Sequence, residues 1–192
     1  MRPPPGEVLH FSEDPTITRF EPHLAATAQV STPYVWAVDA DRSPDYWFPR
    51  QCPRAMAWVV PTTTPADRLL LLGPGGGERV HAIEYGWLGS MTSVQLWAYR
   101  LPAETFSWVA EGPGEPAAVV SPTAVEPLGP PVAVGNLLDL HEQAGIQLRV
   151  LPNLWPFWDA VIQTTLGFSG IRLRNARRRP GPDASAAWSD GS

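Results

Sequence analysis

The run Val8-Leu9-His10-Phe11-Ser12 has the pattern of a strand and stops at the turn signal Glu13-Asp14-Pro15. In an extended chain Leu9 and Phe11 share one face, and His10 and Ser12 share the other. An opening strand is expected near the centre of its sheet. Tyr34-Val35-Trp36-Ala37-Val38 predicts a second strand. Ser43 as N-cap and Pro44 at the first helical position then begin a short helix through Asp45-Tyr46-Trp47-Phe48, which Pro49 stops. Further strands are expected at residues 55–60, 79–84 and 94–101, with helical turns at 67–72 and 85–91. Residues 111–131 are rich in Gly and Pro and hold one short strand pattern, 117–121.

Two amphipathic helices follow. Val134, Leu137, Leu138 and His141 sit at helical spacing, with Gly145 placed to end the helix. A strand at 146–151 leads to Asn153, a plausible N-cap for a helix on which Leu154, Phe157, Trp158, Val161, Ile162 and Thr165 keep the rhythm. Gly167 is read as its end. The chain then enters Gly167-Phe168-Ser169-Gly170-Ile171-Arg172-Leu173-Arg174-Asn175-Ala176, where an extended chain sends Ile171 and Leu173 one way and Arg172 and Arg174 the other. The pattern predicts an α+β fold in one domain, 8–176, with a mixed or mostly antiparallel sheet, whole or split, and short flanking helices. Residues 1–7 read as a disordered lead-in and 177–192 as a disordered tail.

Composition narrows the functional classes. With 192 residues, 44% of them hydrophobic, the chain can bury one core. A net charge of -5 argues against wholesale nucleic-acid binding. All 14 basic residues are arginine, which weakens each arginine as a sign of phosphate recognition. The single Cys52 excludes an intrachain disulfide, the N-terminus has no secretory h-region, and no apolar run approaches a membrane span. A soluble cytoplasmic protein is expected.

Two guanidiniums side by side repel, so an anion is expected between Arg172 and Arg174. A phosphorylated ligand or nucleotide, or the end of a nucleic acid, would fit, with Arg50, Ser169 and Asn175 beside it. The alternative is pairing within the protein, to Glu13 or Glu126. His10 and Ser12 offer a donor and an acceptor on one strand face. Trp36, Tyr46, Trp47 and Phe48 form an aromatic set suited to stacking on a planar ring or to core packing. The four histidines show no zinc spacing, the 75–77 glycines lack the Lys-Ser/Thr of a phosphate loop, and Ser169 does not sit in a nucleophile elbow. No metal site is expected.

The motifs His10-Phe11-Ser12-Glu13-Asp14-Pro15, Tyr46-Trp47-Phe48-Pro49-Arg50, Pro152-Asn153-Leu154-Trp155-Pro156 and Phe168-Ser169-Gly170-Ile171-Arg172-Leu173-Arg174-Asn175-Ala176 resemble a family of uncharacterised bacterial proteins. A weaker likeness is to the ADP-ribosyltransferase fold and its RNA 2'-phosphotransferase relatives. It rests on His10 and Ser12 on an early strand, Tyr46 after a second strand, and Glu126 as the late acidic residue. It implies an NAD-using transferase. His10 and Ser12 would hold the nicotinamide ribose, Tyr46 would stack on the ring, and Glu126 would stabilise the oxocarbenium-like centre. The other reading is a non-catalytic anion-binding or interaction module.

Overall fold

The computed structural model describes residues 1–24, 32–108 and 118–181. In chain order its elements are β1 (Glu7–Ser12), β2 (Val35–Ala37), a 3-10 turn (Ser43–Tyr46), β3 (Arg54–Trp58), α1 (Pro65–Leu72) and β4 (Arg79–Glu84). There follow α2 (Leu88–Ser93), β5 (Trp97–Pro102), β6 (Ser107–Trp108), β7 (Val119–Ser121) and β8 (Val132–Ala133). The last are α3 (Leu137–Gln143), β9 (Gln147–Leu151), α4 (Trp155–Val161), β10 (Gly167–Ile171) and a 3-10 turn (Leu173–Asn175). The architecture is α+β in a single domain, with its strands in three sheets.

The largest sheet has the order β10-β3-β4-β9, antiparallel except for the β4–β9 pair. Every residue of β3 is buried, which requires cover on both faces. Ala55 and Ala57 meet Leu71 and Leu72 of α1 and Phe157 and Val161 of α4. Met56 and Trp58 face the other way, into a cluster with Trp47, Phe48, Met91 of α2 and Leu137 of α3. The sheet is thus a middle layer between two helix pairs. The remaining strands form the sheets β1-β5-β8 and β2-β7-β6, with Val8, Val35, Ala37, Tyr99, Leu101 and Val119 in the core they share.

Local chemistry sets the helix ends. Thr64 caps α1 by accepting from the Asp67 N–H at 3.2 Å, and Pro65 occupies the first turn. Asn136 caps α3 through the Leu138 N–H at 2.9 Å. Glu84, only 2% exposed, accepts from the backbone N–H groups of Leu154 and Arg177. It therefore pins the start of α4 and the chain after the last 3-10 turn to β4. Trp155 and Asn153 add bonds to the Arg177 and Arg178 carbonyls. At the other end Pro3 is buried and Met1 packs against the core.

Four details differ from the sequence pattern. β1 lies at the edge of its sheet, with Leu9 bridged to Val38. The helical rhythm runs to Thr165, yet α4 stops at Val161. Asp67 at the start of α1 takes both the N–H and the hydroxyl of Thr165, and that claim ends the helix early. Gly167 opens β10 rather than closing a helix, because the Trp58 indole lies across it where a Cβ would stand. The last difference concerns the arginines. β10 ends at Ile171, and Arg172 adopts the left-handed conformation at φ 56, so Arg172 and Arg174 flank a turn and do not share a strand face.

Candidate anion site and buried histidine relay

Arg172 is the one non-glycine residue with positive φ among the described residues. A left-handed L-residue costs about 1–2 kcal/mol, and such strain concentrates at functional positions. The turn is held by the Asn175 N–H on the Arg172 carbonyl at 2.8 Å and by the Asn175 side-chain amide on the Gln51 carbonyl at 2.8 Å. Gln51 adjoins Arg50, so the same bond draws the chain after the Tyr46 turn towards Arg172. The Arg172 guanidinium is depressed below its usual pKa by partial burial and then by the charges of Arg174 and Arg50, with Tyr46 acting the other way. Neither Arg50 nor Arg172 makes a side-chain hydrogen bond or ion pair with any described residue. Glu13 is near, but its carboxylate accepts the Arg50 backbone N–H at 2.7 Å.

His10 borders this cluster. Its Nδ1 lies 2.7 Å from the Trp36 carbonyl, and its ring packs on Phe20 at 4.5 Å. Burial, against the help of the Trp36 carbonyl, pushes its pKa down to about 4, and the charge of Arg50 adds to the shift. It is a neutral imidazole at pH 7, with Nδ1–H donating to Trp36 and Nε2 left as an acceptor. Tyr46 and Trp36 pack together with Phe11 on the small cluster of Leu9, Val38 and Ala118. Ser169 is half-buried on β10 opposite Met56. Two other candidates have local partners. Ser12 is buried and accepts the Asp14 N–H at 3.1 Å, which makes it the cap of the following turn. Glu126 is exposed and paired with Arg19 at 3.0 Å.

A second polar group lies inside the protein, and the sequence reading passed over it. Asp45, 0% exposed on the 3-10 turn, accepts from Arg79 Nη1 at 2.8 Å, and Arg42 Nη1 stands 3.8 Å from its other oxygen. His81 Nε2 is 3.4 Å from Asp45 Oδ1, His81 Nδ1 is 3.0 Å from His141 Nε2, and His141 Nδ1 is 2.7 Å from the Leu137 carbonyl. The proton positions follow from the last of these. A carbonyl only accepts, so His141 carries its proton on Nδ1 and accepts on Nε2. His81 must therefore donate from Nδ1, so its Nε2 has no hydrogen-bond partner in the neutral form and donates to Asp45 only when the ring is protonated. Burial lowers the His81 pKa, opposed by Asp45. Burial alone would raise the Asp45 carboxyl, but His81, Arg79 and Arg42 together hold it below the usual carboxylate range.

This relay is sealed. His81 and His141 are almost wholly inaccessible, and Trp47 and Phe48 pack on their rings. Its outer members Arg42 and Arg79 line a cleft of about 710 Å³ together with Trp58, Asp39 and Asp41. Cys52 is fully buried and its thiol is pushed up to about 12 by burial, so it is no nucleophile at neutral pH. No set of three His, Cys, Asp or Glu side chains among the described residues could hold a metal ion. The strand alternation of Arg79 and His81 with Val80 and Ala82 was the available signal for the relay. Two polar residues on the same face of a strand that is otherwise apolar imply either a solvated face or a buried network.

A family model, Family of unknown function (DUF6886), matches residues 9–176. The chain belongs to this family. The matched span of DUF6886 takes in the arginine cluster, His10, Tyr46 and every member of the relay. No curated protein and no solved structure matches the chain. No helix among the described residues is long and apolar enough to cross a membrane.

Proposed function

We propose that the chain binds a phosphorylated small molecule of the nucleotide class, NAD among the candidates, at the cluster of Arg50, Arg172 and Arg174. The observation that carries this reading is the set of like charges around Arg172, with no carboxylate on Arg50 or Arg172, on a backbone strained into the left-handed region. Cations brought together at a cost in strain and repulsion are compensated when an anion arrives. Tyr46 and Trp36 would supply the aromatic wall for a base, and the bare Nε2 of His10 would accept a hydroxyl.

Transfer of ADP-ribose from NAD is the finer reading, and Ser12, Glu126 and Asn175 bear on it unequally. Ser12 and Glu126 are engaged in a turn and with Arg19. Asn175 uses its amide to hold Gln51, so it serves the site by shaping it. The binding role therefore has the firmer support. Arg172→Lys tests it. Lysine keeps the charge but loses the fork, so affinity for ADP or NAD should fall about tenfold, the worth of one charge-assisted hydrogen bond. The melting temperature should hardly change. Unchanged affinity, or no binding by the wild type, would overturn the reading. NAD turnover by the wild type, lost in His10→Ala and Glu126→Ala, would establish the transferase step; its absence would leave a binding module.

A further inference from the structure

One buried cation remains outside the account. Arg54, at the start of β3, is 3% exposed and is paired across the sheet with Ile171, the residue before Arg172. Its Nε donates to the Asp45 carbonyl at 2.8 Å and its Nη1 to the Cys52 carbonyl at 3.1 Å. Both partners are neutral acceptors, so no carboxylate pairs directly with this guanidinium. Its Nη2 has no bond among the described residues, and it is not among the fully enclosed orphan atoms. That edge of the fork therefore has no protein acceptor among the described residues. The guanidinium carbon lies 5.4 Å from the Tyr46 ring centre and 5.0 Å from that of Phe48, which fixes the direction of the side chain. Tyr46 is the residue that also bears on Arg172.

We infer that Arg54 forms the inner wall of the arginine cluster, and that the site takes an anion with at least two negative charges on neighbouring oxygens, a terminal phosphate monoester or a pyrophosphate. Charge counting supports the class. Arg54 lies beside the Tyr46 ring, and it and Arg50 each bear on Arg172, so three positive charges meet there with no carboxylate among the described residues hydrogen-bonded to any of the three side chains. Glu13 accepts the Arg50 backbone N–H, and Asp45, whose charge also bears on Arg54, is held directly by Arg79. A single negative charge would leave most of the repulsion in place, whereas a dianion or trianion would offset it. Arg54 is suited to fixing an oxygen, since two of its nitrogens are already tied to the backbone and little freedom is left to lose. A residue this deep would also read how far a phosphate enters, favouring a terminal group over an internal diester.

The inference rests on the binding reading above, and the two can fail separately. The full chain is titrated with methyl phosphate, inorganic pyrophosphate and dimethyl phosphate near pH 8, about two units above the second pKa of a phosphomonoester. Binding of the first two at least tenfold tighter than dimethyl phosphate is expected. Arg54→Lys, with folding checked by its melting temperature, should weaken methyl phosphate and pyrophosphate about tenfold, the loss of one charge-assisted hydrogen bond. Equal binding of all three probes overturns the dianion class and leaves the binding reading standing. Absence of binding to any of them removes both. If Arg54→Lys does not fold, Arg50→Gln on the exposed rim replaces it, and undiminished binding there refutes the cation cluster.

Discussion

Replacing Asp45 by Asn removes a buried negative charge that Arg79 contacts directly. Asp45 is 0% exposed and has Arg79 at 2.8 Å, His81 at 3.4 Å and Arg42 at 3.8 Å. An asparagine has nearly the same shape, so no cavity opens. Its amide can even donate to the bare His81 Nε2. What is lost is the counter-charge hydrogen-bonded to Arg79, whose side chain is 17% exposed. Breaking a buried pair by removing one partner costs about 3–5 kcal/mol, a large share of a total stability of about 5–15 kcal/mol. At roughly 2–4 °C per kcal/mol for a chain of this size, the melting midpoint should fall by about 6–20 °C. Calorimetry of Asp45→Asn beside Glu126→Gln measures it. Glu126 pairs with Arg19 at the surface, where an ion pair is screened, and its midpoint should stay in place. If Asp45→Asn melted within about 2 °C of the wild type, the network would not depend on a central anion, since that corresponds to less than about 1 kcal/mol.

Further outcomes follow from the same geometry. Arg172→Gly should raise stability by about 1 kcal/mol by relieving the left-handed backbone while abolishing phosphate binding; lower stability in urea melts would show that Arg172 is needed for packing. Folded His10 and His141 have pKa values lowered to about 4 from 6.5, so the unfolded chain takes up protons first as pH falls. Stability should be full above pH 6.5 and drop by roughly 3 kcal/mol per histidine towards pH 4, and His141→Gln should flatten that slope. The lowered Asp45 carboxyl acts only further down, where stability is lost as pH falls below 3.8 through its folded value. Gly167→Ala should cost about 1–3 kcal/mol through collision with the Trp58 indole, whereas Gly86→Ala, which meets nothing, should be near neutral.

The elements most legible in the sequence were those whose side chains report directly on burial. β1, β4 and α3 follow their alternation or helical spacing closely, and Gly145 marks the end of α3. The same patterning placed α4 but overran it, because the Asp67–Thr165 bonds that cut it short join residues 98 apart. The relay was hidden for a similar reason. His81 and His141 are 60 residues apart, and a histidine at a helical core position reads like any other amphipathic residue. Arg54 and Arg42 were obscured by their charge, since a lone arginine is assumed to reach water. The left-handed Arg172 leaves no trace in composition; only the bonds made by Asn175 reveal it. Arg50, Arg172 and Arg174 were singled out together from the sequence, but the position of Arg54 behind them required the fold.

The most direct measurement is a crystal structure of the chain with pyrophosphate or methyl phosphate bound. The account predicts phosphorus density among Arg50, Arg172 and Arg174, with an oxygen on Arg54 Nη2. Density in the cleft beside Arg42 and Arg79, with the Arg172 turn empty, would contradict it.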